Sequence, residues 1–295
     1  MKTSTIESTV SQAGVSRFGV DIRLVWLLAH KEIRDALRNR WFLLYAICFA
    51  ALSLELSTVA LAGTGQFGRA GFGRTAASLV NLVLLIVPLM GLTLGAAALS
   101  GERERGTLET LLSQPVRRVE VLAGKFVGLA GALLGALASG FGVTGAVLAA
   151  NGATTNAGQF LSIFGLSVAL SWSMLSVGLL ISALAKRSTL ALGVAIFAWL
   201  ALVFLGDLGL MAGSAAFRMS AGEMLGWALC NPLQVFKIFC VSGMHHSLDL
   251  LGPAGLYASQ TFGTKLPLLL GFVLAGWIVV PLTIAQVIFA MRGVR

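Results

Sequence analysis

Apolar residues in this chain do not alternate with polar ones; they come in long blocks. Six blocks reach the length of about 20 residues that a helix needs to cross a bilayer. They cover approximately 41–62, 77–100, 126–150, 160–184, 189–211 and 266–291. A different period precedes the first block. Ile22, Val25, Trp26, Ala29, Ile33, Ala36 and Leu37 recur at three- and four-residue spacing, with Arg23, Lys31, Arg34 and Arg38 on the other side. This pattern predicts an amphipathic helix lying in the membrane interface over 21–40. Residues 1–20 are polar and small and lack the apolar core of a signal peptide, so a disordered cytosolic tail is expected there. The expected fold is an all-α integral membrane protein, with an interfacial helix followed by one six-helix transmembrane domain over 41–295.

Composition agrees with the pattern. Of the 295 residues 57% are apolar and only 11% charged, against roughly a quarter charged in an ordinary soluble domain. No soluble globule of this size hides that much apolar surface, so the bilayer is the solvent. The net charge of +9 then bears on topology. With the N-terminus inside, the inner segments 1–40, 101–125, 185–188 and 292–295 hold 16 of the Lys and Arg residues, and the outer segments 63–76, 151–159 and 212–265 hold 5. The positive-inside rule therefore predicts cytosolic termini. The three cysteines and three histidines form no CxxC or HxxxH, and GxxxxGK[ST], GxSxG and HExxH are absent. The reading is a non-catalytic chain without a cofactor, whose energy is supplied by ATP hydrolysis on another chain.

Several details inside the blocks carry expectations. Gly124-xxx-Gly128 and Gly131-xxx-Gly135 in the third span favour close helix approach. Pro88 and Pro281 lie inside spans two and six, where a missing donor predicts kinks. Glu55 is the one acid well inside a span, about 21 Å along a helix from Trp41. A charge at that depth is costly, and Ser53, Ser57 and Thr58 are expected to share a polar face with it. Asp207 falls near the outer end of span five. The outer segment 212–265 is too long for a turn, and its apolar pieces are too short to cross; they re-enter the membrane or pack on top of it.

The densest charge cluster is the inner loop 101–125, GERERGTLETLLSQPVRRVEVLAGK. Glu102, Arg103, Glu104 and Arg105 alternate in sign, Leu108, Leu111 and Leu112 give a short apolar face, and Arg117 and Arg118 follow Pro115. A short helix with apolar knobs and flanking charges suits docking into a groove on a soluble partner; a solvated loop is the alternative.

This stretch, E-R-E-x-G-T-L-x-x-L-L-x-x-P-x-x-R, together with the interfacial helix and six spans, resembles the ABC-2 class of ABC-transporter permeases over about residues 22–295. The run from His30 through Lys31, Glu32, Ile33 and Arg34 to Trp41 resembles the Nos-type branch of that class, permeases of the transporter that helps mature nitrous oxide reductase. Phe204–Leu208, the Asn231-Pro232 segment through Phe236, and 251–258 are similar to segments of the same branch. The resemblance implies that 101–125 couples to an ABC ATPase subunit. It implies a homodimer in the bacterial inner membrane, a periplasmic accessory protein (NosD-like), and a role in copper-site assembly, with copper and a sulfur species both open as cargo. A generic ABC-2 exporter of a lipid or small molecule is the transport alternative. An intramembrane enzyme would need paired catalytic groups at depth, where only Glu55 qualifies, and a channel would show a regular polar stripe, which is not seen.

One further pattern stands apart from the resemblance. Met244, His245 and His246 are adjacent in the outer segment, and thioether and imidazole are copper ligands. The run is read as a copper contact or as ordinary loop surface. Cys230 and Cys240 are expected outside the membrane, their pairing open.

Overall fold

The computed structural model describes residues 21–62, 69–114, 116–150, 157–215, 219–243, 257–258 and 260–291. All regular structure among them is helical. In chain order the main helices are α1 (Ile22–Arg38), α2 (Arg40–Ala62), α3 (Arg69–Glu104), α4 (Thr107–Leu112), α5 (Arg118–Ala150), α6 (Ala157–Leu184), α7 (Ser188–Ala215), α8 (Ala221–Leu229), α9 (Pro232–Gly243) and α10 (Leu266–Met291), with helical turns over 260–265 leading into α10. The six expected spans are α2, α3, α5, α6, α7 and α10, each long and apolar enough to cross a membrane. α3 and α10 run through Pro88 and Pro281. The end of the bundle that carries α1 and α4 is called the basic end below.

α3 and α6 form the centre, and they meet backbone to backbone. A Cβ added at Gly91 would lie 2.8 Å from the Ser171 carbonyl oxygen, one at Gly95 2.6 Å from that of Leu175, and one at Gly178 2.5 Å from that of Leu92. Small residues permit this approach, which dispersion then rewards in a bilayer that supplies no hydrophobic drive between helices. Leu79, Val83, Leu92, Leu99, Leu170, Leu175 and Leu179 fill the flanks and are fully buried.

α1 packs along α5 by the same device. Gly124 faces Leu28, and a Cβ at Gly128 would fall 2.5 Å from the Ala29 carbonyl oxygen and 2.7 Å from Cβ of Glu32. The buried face of α1 is Ala29, Glu32 and Ala36, while Ile22, Trp26, Leu27 and Leu37 are exposed. The expected apolar side is thus divided: its small members pack on the protein, and its large members point outward. Of the second glycine pair, Gly131 touches only the end of Ile33, and Gly135 touches nothing.

The described residues of segment 212–265 include a helical hairpin. α8 and α9 are joined at Cys230 and Asn231, where the axis turns through 113°. Asn231 Nδ2 donates to the Leu202 carbonyl oxygen at 2.6 Å, and Trp277 Nε1 to that of Leu229 at 3.4 Å. Leu202 lies eleven residues before Gly213, where the apolar stretch of α7 stops, and Trp277 seventeen after Gln260, where the last span starts. At about 1.5 Å per residue, the turn lies about 16 Å or more below the far ends of these spans. The turn of the hairpin is therefore set between α7 and α10, within the length of the spans. Gly206 and Gly209 of α7 make room for it: Cβ atoms there would collide with Asn231 and Trp227 at 2.5 and 2.4 Å. Cys230 is exposed at the turn and Cys240 is buried up α9, and both are free.

Gly178→Leu should force α3 and α6 apart and cost about 1–3 kcal/mol or more. Gly142→Leu, where a Cβ meets nothing, should be neutral. Thermal unfolding of the two purified variants checks the contrast, and equal melting temperatures would refute the close-packed pair.

Candidate functional site

Two polar constellations stand out, one at each end of the bundle. At the basic end Lys125, 2% exposed, donates from Nζ to Glu32 Oε1 at 2.8 Å and lies 2.8 Å from Glu102 Oε1. Lys31 adds a second cation, 3.3 Å from Glu102 and 3.8 Å from Glu32, and reaches Asp35 at 4.0 Å. Burial alone lowers the pKa of Lys31, but Glu102 and then Glu32 outweigh it, and the net shift is upward. Three elements meet here: Glu32 comes from α1, Glu102 from the last turn of α3, and Lys125 from α5. The glycine contacts of α5 bring α1 near enough for the pair to close.

The structure corrects the reading of 101–125 as one loop. α3 runs on to Glu104, and α5 begins at Arg118, so the unbroken connection is short. Gly106 makes the reversal before α4 with φ of +72°, a left-handed conformation that favours glycine. The charges of the segment also have roles the sequence did not disclose. Glu102 is buried in the Lys125 cluster rather than offered to a partner. Arg103 donates to the carbonyl oxygens of Ser182 and Ala185, at the C-terminus of α6. Glu104 Oε2 accepts from the Ser188 backbone N–H at 3.0 Å, at the N-terminus of α7. Arg118 donates to the carbonyl oxygens of Phe289 (3.3 Å) and Ala290 (2.6 Å), at the C-terminus of α10. Each sign complements the partial charge of the helix end it meets. Glu120, also buried, accepts from the backbone N–H groups of Asp21 and Arg117 at 2.9 Å and ties the start of α1 to that of α5. Leu108 is buried in the chain's own core, Leu111 and Leu112 are half-buried, and Arg105 and Arg117 are exposed.

Towards the far end Asp207 Oδ1 accepts from Gln234 Nε2 at 2.8 Å and lies 3.2 Å from Lys237 Nζ. Asn231 caps α9, its Oδ1 accepting from the Leu233 N–H at 3.0 Å. The segments around Asp207 and Asn231, distant in sequence, thus form one tie between α7 and the hairpin. Glu55 belongs to neither constellation. Ser53 and Ser57 point inward, Ser53 donating to the Gly140 carbonyl oxygen, while Glu55 is exposed on the other side of α2. Two residues make about 200° of helix turn, so Ser53 and Ser57 do not share its face; Thr58, three residues on and also exposed, does. Met244, His245 and His246 lie outside the described residues, and among the described residues no cluster of His, Cys, Asp and Glu has metal-binding geometry.

Sequence reasoning missed Glu32, Lys125, Gln234 and Lys237. For the first two a signal was available: Glu32 sits between Ala29 and Ala36 on the small-residue stripe of α1, and Lys125 adjoins the Gly124-xxx-Gly128 motif. A charge set among packing glycines and alanines at helical spacing is a buried charge.

An all-helical chain of six spans with an apposed N-terminal helix, a short helix between spans two and three, and a helical hairpin before span six has the build of a transporter membrane subunit. Residues 26–294 match the ABC-2 family transporter proteins. The chain is 34% identical over 280 residues to a probable ABC transporter permease protein NosY of Stutzerimonas stutzeri, covering 91% of this chain and 98% of that one. It is 34% identical over 229 residues to the protein of the same description from Pseudomonas aeruginosa, covering 75% and 82%. The chain belongs to the ABC-2 transporter family and is a permease subunit of an ABC transporter.

Lys125→Met should leave Glu32 and Glu102 with only the half-exposed Lys31 as counter-charge, at a cost of about 3 kcal/mol. Adding Glu32→Gln and Glu102→Gln should recover most of the loss, because the uncompensated charges are then gone. Thermal unfolding in detergent reads both; a single variant as stable as wild type would show the cluster to be solvated.

Proposed function

We propose that the chain couples ATP hydrolysis on a separate ATPase subunit to movement of its own spans, as the membrane subunit of a Nos-type transporter that serves copper-site maturation of nitrous oxide reductase. The observation that carries the coupling is the mounting of α4. It follows Arg103 and Glu104, which hold the ends of α6 and α7, and it precedes Arg118, which holds the end of α10. A force applied to this short helix reaches the ends of three spans through charge-assisted hydrogen bonds. Arg105, Glu109, Thr110, Ser113 and Gln114 are its exposed surroundings and supply the polar part of a docking face, with Leu111 and Leu112 beside them.

In this reading the basic end faces the cytosol of a bacterial inner membrane, both termini are cytosolic, two copies of the chain pair, and a NosD-like accessory protein meets the far end. The Nos-type assignment is supported by the similarity to two probable permeases NosY over most of the chain. Met244, His245 and His246 are proposed as a contact for cargo copper on that far side.

Arg105→Glu with Leu111→Asp should abolish co-purification of the ATPase and leave the melting temperature of the membrane subunit within a few degrees. Leu108→Asp should instead prevent accumulation of folded protein, since that side chain is buried. Undiminished ATPase binding by the first pair would rule out docking at α4. For the copper contact, titration of the purified complex with Cu(I) should show at least one ion fewer per chain in the His245→Ala/His246→Ala variant than in wild type. Equal stoichiometry would leave the histidines as loop surface.

A further inference from the structure

A crevice runs from the basic end into the bundle between α1, α2, α3 and α7. Its polar part, about 620 Å³, lies among Lys31, Glu32, Asp35, Arg38, Glu102 and Arg105. Its apolar part, about 270 Å³, lies among Trp41, Phe42, Tyr45, Met90, Leu192 and Ile196. Asn39, Leu94 and Ala97 line both, so the two parts adjoin and are treated together as one crevice. The apolar residues of α7 sit four and eight positions past its start at Ser188, about 6–12 Å deeper. The crevice is therefore polar at headgroup depth and apolar at acyl-chain depth.

The polar part is not self-sufficient. Lys125 and Lys31 both address Glu102 Oε1, while Glu102 Oε2 is buried without a hydrogen-bond partner. Glu102 is 8% exposed and lines the crevice. A buried charged oxygen left unsatisfied is costly, and a donor entering the crevice would satisfy it. Arg38 and Arg105, on the same walls, are exposed and make no ion pair among the described residues. The site thus presents an acceptor in need of an N–H donor, two guanidinium groups suited to a phosphate, and an apolar slot below them.

We infer that the crevice holds one phospholipid with a primary-amine headgroup, phosphatidylethanolamine, its ammonium on Glu102 and Asp35, its phosphate on Arg38 and Arg105, and an acyl chain along Trp41, Tyr45 and Ile196. The headgroup carries both charges the walls complement. Phosphatidylcholine has no N–H to give Glu102, and phosphatidylglycerol has no cation.

The test uses the full-length chain purified in detergent, delipidated, and offered dioleoyl phosphatidylethanolamine, phosphatidylcholine or phosphatidylglycerol, with bound lipid counted by native mass spectrometry. The expected result is one phosphatidylethanolamine per chain, held at least ten-fold tighter than the other two lipids. Arg38→Ala/Arg105→Ala should weaken retention at least ten-fold with an unchanged melting temperature. Glu102→Gln should erase the preference over phosphatidylcholine, and Ile196→Trp, at an exposed position, should weaken all three lipids by filling the slot. Equal retention of the lipids, or retention indifferent to the arginine pair, would overturn the inference. So would competition by inorganic phosphate as effective as that of the lipid, which would mark a free-anion site, or displacement of the lipid on adding the ATPase, which would mark a protein-docking crevice.

Discussion

Everything at the basic end depends on a lysine that has been taken out of water. Lys125 sits about two turns inside α5, and its ammonium is held between one carboxylate from α1 and one from α3. Neither carboxylate could be buried alone, and neither could the lysine; removing one member of such a group costs far more than the intact group contributes. The consequence is geometric. α1 cannot lift from α5, nor α3 slide along it, without exposing or stranding a charge. α1 is thereby locked to the second and third spans, and the glycines at 124 and 128 let the backbones come close enough for the charges to meet.

This lock decides how much of the molecule could be read from sequence. The six spans were legible because their apolar runs are long and no other fold tolerates them. Their boundaries were less so. The third span was read as starting at Phe126, but α5 starts at Arg118, because Glu120 and Lys125 look like loop charges to any hydropathy window while the protein itself solvates them. The same confusion acted on Glu102, Arg103 and Glu104. Charge density made them look like a partner's surface; in the fold they are the ends of an ion-pair cluster and the caps of neighbouring helices. Alternating signs in a short loop satisfy both demands, and only the positions of the α6, α7 and α10 termini separate them.

The hairpin was illegible for a different reason. α8 and α9 are nine and twelve residues long, too short to register as spans, and nothing local says that they descend between other helices. What places them is polar: Asn231 on the Leu202 carbonyl oxygen in the middle of α7, Trp277 on the end of α8, and Gln234 and Lys237 on Asp207. In a medium that offers backbone groups no water, the turn of such a hairpin is tolerated only where neighbouring protein satisfies it. Gly206 and Gly209 mark the track on α7, but that signal has meaning only once the partner helix is known.

The two ends are joined by the α3–α6 pair, and this constrains any motion between them. Side chains that interdigitate can change rotamer and let helices slip by a fraction of a turn. Backbones separated only by glycine cannot, since no side chain lies between them to move. α3 and α6 therefore act as one stiff body. It holds Glu102 and Arg103 at the basic end, and it carries α9 packed against α6 at the other. Gln159, in the first turn of α6, even donates to the Gly243 carbonyl oxygen at the top of α9. A displacement delivered at α4 cannot be absorbed within this body, so it must appear elsewhere, at the contacts that are side-chain mediated or ionic. One of those is the tie of Asp207 to α9. The hairpin packs on α6 and meets Asp207 of α7 through the side chains of Gln234 and Lys237, so this tie lies where relative motion is left to occur.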